Sequence, residues 1–241
     1  KLEVKAKNWM VRAYTTQENA GDSYIGDAVG TFINEAYSPS GTSWLPTYIG
    51  TFSETRRATV AQSDITIHNN ARAAADLNRF QPGSAQFNAA AARIKNTPVN
   101  KPGGSKFLDK SDLFAGEAQL NLSDALRFTD KLEVIVGAQW KQWVMNSQGT
   151  IFSDTTGTIK IAETGGYIQL KKKLLNDVLT LSASGRYDKQ TNFEGKFTPR
   201  VAAVIRVAKE NNIRLSYQTS YRFPSNQNQY ISLRLGGGSS F

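Results

Sequence analysis

The chain has no cysteine, so neither a disulfide framework nor thiol chemistry can contribute to fold or function. Histidine occurs once, at His68, which excludes a His-based metal cluster. Set in a polar stretch, His68 reads as a solvated side chain, and no G-x-S-x-G elbow or Ser-His-Asp set accompanies it. The spacing of Asp22, Asp27 and Glu35, or of Asp109 and Asp112, does not reproduce a calcium-binding loop. Gly236-Gly237-Gly238 lacks the pattern that cradles phosphate and reads as a flexible turn. No catalytic residue, metal or cofactor is therefore assigned, and a non-enzymatic role is expected. No run approaches the roughly 20 apolar residues of a membrane-spanning helix, and mean hydropathy is −0.43. That excludes an ordinary inner-membrane protein only, because a membrane strand needs about 9 to 11 residues, half of them polar. The balance of 29 basic against 20 acidic residues gives a net charge of +9. Apart from Lys171, Lys172 and Lys173, which read as a solvated strand end, the cations are scattered, and no nucleic-acid motif accompanies them. An anionic lipid surface is another partner that would answer the excess charge. The start at Lys1-Leu2-Glu3-Val4, already alternating and without a signal peptide, reads as part of a longer protein.

What the chain does contain is alternation with a period of two, clearest over residues 163–223. Leu179, Leu181, Ala183, Gly185 and Tyr187 oppose Thr180, Ser182, Ser184 and Arg186. Val201, Ala203, Ile205 and Val207 oppose Arg200, Ala202, Val204 and Arg206; Ile213, Leu215, Tyr217, Thr219 and Tyr221 oppose Arg214, Ser216, Gln218, Ser220 and Arg222. The pattern repeats over 112–122, where Glu117 and Gln119 lie on the polar side, and over 132–141. Such a period predicts β-strands, and arginines recurring on one side predict that this side meets water. Glu117, Gln119, Arg186, Arg200, Arg214, Gln218 and Arg222 are accordingly expected to face an aqueous lumen, with lipid on the other side. Residues 2–16 change parity near Asn8, which predicts one strand with a β-bulge.

Connections support the same architecture. Tight turns are predicted near residues 126, 176 and 210, and long loops after 16, 148, 188 and 223. Short connections at one end and long ones at the other are the habit of outer-membrane barrels. Tyr14, Trp140, Trp143, Tyr187, Tyr221 and Phe223 all lie near the long-loop ends, as an interfacial aromatic belt would. Six strands can be counted, too few to close a wide aqueous barrel, so a segment of a larger one is expected.

Between the first strand (1–16) and the later ones (112–241), residues 17–111 form a long insertion rich in Ala, Asn, Ser and Gly. Helices are predicted over 28–37, 44–51 and 69–80, and over 85–96 with Ser84 as N-cap and Thr97-Pro98 as the stop. A connection this long is expected to fold, as a lid or a binding loop outside the cell. Its aromatics and cations, Tyr24, Tyr37, Trp44, Tyr48, Arg56, Arg57, Arg72 and Arg79, are the ligand-binding candidates, since rings stack on flat surfaces and guanidinium groups fork carboxylates. The alternative is that Trp44, Tyr48 and Phe52 form the small core of the insertion.

Several stretches carry a resemblance. Val11-Arg12-Ala13-Tyr14-Thr15-Thr16-Gln17-Glu18-Asn19-Ala20-Gly21-Asp22-Ser23-Tyr24, Ser184-Gly185-Arg186-Tyr187-Asp188-Lys189, Phe193-Glu194-Gly195-Lys196-Phe197-Thr198-Pro199-Arg200 and Ser216-Tyr217-Gln218-Thr219-Ser220-Tyr221-Arg222 resemble the TonB-dependent receptors of Bacteroidetes. The match is specific over 165–230, good over 1–24 and weak over 28–110. The resemblance implies an all-β fold: a segment of a 22-stranded antiparallel transmembrane barrel, with a long, partly helical extracellular loop and a plug domain outside this chain. It also implies a bacterial outer-membrane location, energy delivered by the TonB complex through the plug, and a small external ligand such as an iron chelate, an oligosaccharide or a peptide. Whether a surface lipoprotein is a further partner, as in glycan-uptake systems, it leaves open. A passive porin or adhesin barrel, and a soluble β-sheet binding protein with a helical insertion, are the competing readings.

Overall fold

The computed structural model describes residues 1–58, 63–126 and 132–233. Gly236-Gly237-Gly238 and the remainder of the turn after Leu126 lie outside the described residues. Two compact units form: residues Lys1–Asn19, Asp109–Gln148 and Phe152–Ile231 make the first, and Ala20–Leu108 with Gly149–Ile151 belong to the second.

The first unit is a meander of eight strands: β1 Leu2–Lys5, β2 Trp9–Gln17, β3 Asp112–Asn121, β4 Leu132–Met145, β5 Ile159–Leu174, β6 Leu179–Gln190, β7 Phe193–Ala208 and β8 Asn211–Gln218. Each pairs antiparallel with the next, and β1 and β8 are edges, so the sheet is open. Eight strands form where six were expected: six follow the insertion and two precede it. The stretch ahead of it is two strands and not one bulged strand. Lys5 pairs with Met10, and the Ala6 amide donates to the Trp9 carbonyl at 2.8 Å, so the chain reverses through Lys7 and Asn8. Reversal explains the parity change at Asn8 without a bulge, because even residues of β1 lie beside odd residues of β2.

A second correction concerns residues 189–196, expected as a polar loop. β6 runs on to Gln190 and β7 starts at Phe193, leaving Thr191-Asn192 as a tight turn with a register shift between Asp188 and Gln190. Hydrogen bonding of the Thr191 amide to the Ala162 carbonyl (2.9 Å) extends the ladder past the polar residues. β8 is shorter than expected, ending at Gln218, so Tyr221 and Arg222 follow the strand. At the opposite end the turns are tight as expected. Leu175, Asn176 and Asp177 all take left-handed φ of 53°, 53° and 65°. Lys7 and Asn8 of the first turn reach Asp124 at 3.1 and 3.3 Å. The Lys7 hydrogen bond and charge, with help from Asn8, hold the Asp124 carboxyl below its ordinary value.

Register decides the two sides of the sheet. Val4, Val11, Ala118, Ala138, Gly166 and Tyr187 lie in one row across β1–β6. Leu170, Ala183, Val201 and Tyr217 form another across β5–β8. This apolar side runs across every strand, and it stays uncovered: Leu2, Phe197, Leu215 and Tyr217 are each more than 60% exposed. The other side carries most of the charges.

The second unit is helical: α1 Gly26–Tyr37, α2 Leu45–Ala58 entered through a π-helical turn Ser40–Trp44, α3 Asp64–Ala75 and α4 Ala85–Asn96. Ser84 caps α4 as expected, its Oγ accepting from the Phe87 amide at 3.2 Å. α3 lies earlier than the 69–80 expected. Ser63 caps its start, and the chain turns after Ala75, with Asn78 at φ 65°. α2 extends past Thr51 to Ala58. Val29, Ile33, Ala90 and Ile94 form a core between α1 and α4, closed by Phe32, Phe80 and Phe87. The short helices α5 Ser123–Leu126 and α6 Asn226–Tyr230 belong to the strand unit.

Candidate functional site: a polar cavity on the sheet

On the charged side, residues align in rows that cross β3 to β7. Glu117, Gln139, Gly165, Asp188 and Lys196 form one row; Gln119, Gly137, Tyr167, Arg186 and Thr198 form the next. Two glycines make this packing possible. A Cβ on Gly137 would come within 2.4 Å of the Tyr167 ring, and one on Gly165 within 2.0 Å of Asp188 Oδ1. Through the first gap the Tyr167 hydroxyl reaches Gln119, donating at 2.9 Å. Beside the second, Arg186 forks Asp188 through two bonds of 2.6 Å. That pair is built on positions i and i+2 of one strand, which necessarily share a side. Toward the insertion end, Lys141 stands 3.9 Å from Glu163.

Beyond Gln218 the chain leaves the sheet and is tied to the β6–β7 turn. Gln229 donates to the Gln190 side chain at 3.0 Å, and Asn192 donates to Gln229 at 2.8 Å and to the Tyr230 hydroxyl at 2.5 Å. Phe223 packs on Phe193 (5.8 Å) and Tyr221 (4.8 Å), and Lys196 stands 5.9 Å from the centre of the Tyr221 ring. Between residues 219–226 and the charged side lies a cavity of about 700 Å³, within the range of small-ligand pockets. Lys141, Trp143, Glu163, Arg186, Asp188, Gln190, Lys196, Tyr221, Arg222 and Phe223 line it.

Several aromatic-belt assignments are corrected by register. Trp143 pairs with Leu113 and Ile161 on the charged side, and Tyr14 pairs with Ala115 there. Tyr221 and Phe223 follow the last strand and line the cavity. Only Trp140 and Tyr187 of the six lie on the apolar side. Height along a strand suggested the belt, but Trp140 and Trp143 are three apart, and an odd spacing puts two side chains on opposite faces. Glu117, Gln119, Arg186, Arg200, Arg214 and Gln218 share one side by register, and Arg186 with Arg222 reaches the cavity. Lys141, Glu163, Asp188, Gln190 and Lys196 escaped the sequence reading. Their signal was parity: each lies in register on Arg186's side, visible only once the pairing is known.

The candidates in the insertion are largely engaged within it. Trp44, at the end of the π-helical turn, and Tyr48 and Phe52 of α2, spaced by four, form a ring stack with centroids 5.3 and 6.4 Å apart, consistent with the core alternative. Asp64 and His68 of α3, and Asp76 just past its C-terminal end, face this stack from the next helix. Asp76 accepts from the Trp44 indole at 2.8 Å, His68 packs on Phe52 at 4.8 Å and contacts the Tyr48 hydroxyl, and Asp64 pairs with Arg56. His68 is exposed, as expected, and its ring also rests against Tyr48 and Phe52. Tyr37 donates to the Ala75 carbonyl at 3.1 Å, Arg72 reaches Asp76 at 3.5 Å, and Lys95 lies over the Tyr24 ring at 4.7 Å. A small cavity of about 220 Å³ collects Tyr37, Trp44, Arg72 and Arg79, whereas Tyr24, Tyr48, Arg56 and Arg57 lie outside its lining.

One buried carboxylate was also unsuspected. Asp154, 4% exposed, accepts from the Ser147 amide, from Ser147 Oγ at 2.7 Å and from the Gln148 amide at 3.1 Å. Asp154→Ala would strand those donors, at a cost of about 1–3 kcal/mol. Hydrogen exchange at the Ser147 and Gln148 amides is expected to accelerate roughly ten-fold or more, and unchanged protection would show that Asp154 does not organise this loop.

Among the described residues no group of three or more His, Cys, Asp or Glu could hold a metal ion, and no helix is long and apolar enough to cross a membrane. Residues 8–240 match the family model for the TonB-dependent receptor-like β-barrel. The chain belongs to the TonB-dependent receptor β-barrel family. No curated protein and no solved structure matches it. Barrels of this receptor family lie in the outer membrane. For a TonB-dependent receptor segment, a sheet with one side uncovered and apolar and the other charged has the surface division that lipid and water require.

Proposed function

We propose that this chain is the barrel wall of a receptor that binds an external ligand and imports it with energy transmitted by TonB, without covalent chemistry. In this reading the eight strands belong to a 22-stranded barrel of the Bacteroidetes type, whose plug domain lies elsewhere in the protein. The helical insertion between β2 and β3 is the external loop, and the charged side of the sheet is the lumen wall. The observation that carries the reading is the division of the sheet into an uncovered apolar side and a charged side that holds a ligand-sized cavity. An iron chelate, an oligosaccharide or a peptide is the expected cargo.

Uptake by cells expressing the full-length receptor provides the test. Labelled panels of those three ligand classes are offered to cells with and without TonB. Accumulation of one class that needs both the receptor and TonB is the expected result. Receptor-dependent accumulation that survives loss of TonB would replace the transporter with a passive porin.

A further inference from the structure

The cavity on the charged side is specific in its chemistry. Two of its cations already have acidic partners: Arg186 is forked by Asp188, and Lys141 faces Glu163. Lys196 and Arg222 have no carboxylate partner among the described residues, so the cavity carries a local positive excess. Trp143, Tyr221 and Phe223 add flat apolar faces. The rest of the lining is rich in neutral hydrogen-bonding groups: Gln190, Thr198, Thr219, Ser220, Ser225 and Asn226 supply hydroxyls and amides. An aromatic acid would satisfy the rings and the cations but leave most of those groups without ligand partners. A neutral sugar would leave Lys196 and Arg222 unanswered.

Resting on the receptor reading above, we infer that this cavity binds an anionic sugar. The C–H face of a pyranose packs on the rings, its hydroxyls meet the amides and hydroxyls, and a carboxylate or sulfate is held between Lys196 and Arg222. Arg186 and Lys141, neutralised by their own acids, shape the wall and do not add to the charge that selects the ligand.

The test uses the full-length receptor in detergent, with binding measured by calorimetry. Trigalacturonate, a sulfated trisaccharide, the methyl ester of trigalacturonate and neutral galactotriose are the probes. Trigalacturonate or the sulfated sugar is expected to bind, and whichever binds identifies the anion. The neutral probes are expected to bind at least ten-fold more weakly. Lys196→Gln and Arg222→Gln should each weaken the anionic probe about ten-fold, the scale of one lost charged hydrogen bond. Lys196→Arg should retain binding, which separates loss of charge from loss of folding. Binding of neither anionic probe, or an anionic probe that binds no more tightly than neutral galactotriose, would overturn the inference. TonB-dependent uptake of some other ligand would then leave the transporter standing while this ligand class falls.

Discussion

Val201→Arg is expected to stop the receptor from assembling in the outer membrane, while Ser182→Arg leaves assembly intact. Val201 lies mid-strand in β7, beside Ala183 and Tyr217 on the apolar side, and is half exposed. A cation there would sit near the bilayer midplane, where it costs about 2–4 kcal/mol. Ser182 pairs with Lys171 and Ala202 on the charged side, so an added arginine meets water. Leu181, which alternation alone would nominate, is a weaker probe. Its partner on β5 is Lys172, already a cation on the apolar side near the turn at Leu175, where a long stem can carry its charge to the interface. Heat-modifiable mobility of the protein in outer-membrane fractions reads the result. Equal assembly of the Val201 and Ser182 variants would reverse or abolish the assignment of the two sides.

Ile94→Ala is expected to loosen the helical unit and spare the sheet. Ile94 is 1% exposed and packs with Val29, Ile33 and Ala90. Its removal leaves a cavity under the rings of Phe32, Phe80 and Phe87, a loss of about 2–5 kcal/mol. Limited proteolysis of the full-length receptor should cut residues 20–108 faster, with heat-modifiability unchanged. Ile65→Ala is the matched control, because Ile65 is 73% exposed and should cost little. Equal cutting of the two variants would mean that the unit does not depend on this core.

The two units differ in how much of them could be read beforehand. In the sheet, the alternation of Leu179, Leu181 and Ala183 against Thr180, Ser182 and Ser184 marks both sides directly, because side chains in a strand can point only two ways. In the insertion, Ser84 and Thr97-Pro98 bracket α4 because caps are local chemistry. α3 was misplaced because Leu77 and Phe80 continue the helical spacing beyond a chain reversal at Asn78 that spacing cannot reveal. The aromatic stripe of α2 was visible, but its partners Asp64, His68 and Asp76 were not, since a helix pattern does not name the helix it packs on.

Sequence alone determined that the chain is a run of antiparallel strands with one apolar and one polar side, interrupted by a folded helical insertion, and its motifs were sufficient to suggest the family. Tertiary structure decided the rest: that residues 2–16 reverse as a hairpin, that Trp143 and Tyr14 lie with the charges, and that Lys196 and Arg222 meet three rings in one cavity. The physical reason is range. Parity and capping are set by neighbouring residues, whereas a cavity is set by register between strands and by where a chain leaves the sheet, and both depend on pairings between residues distant in sequence.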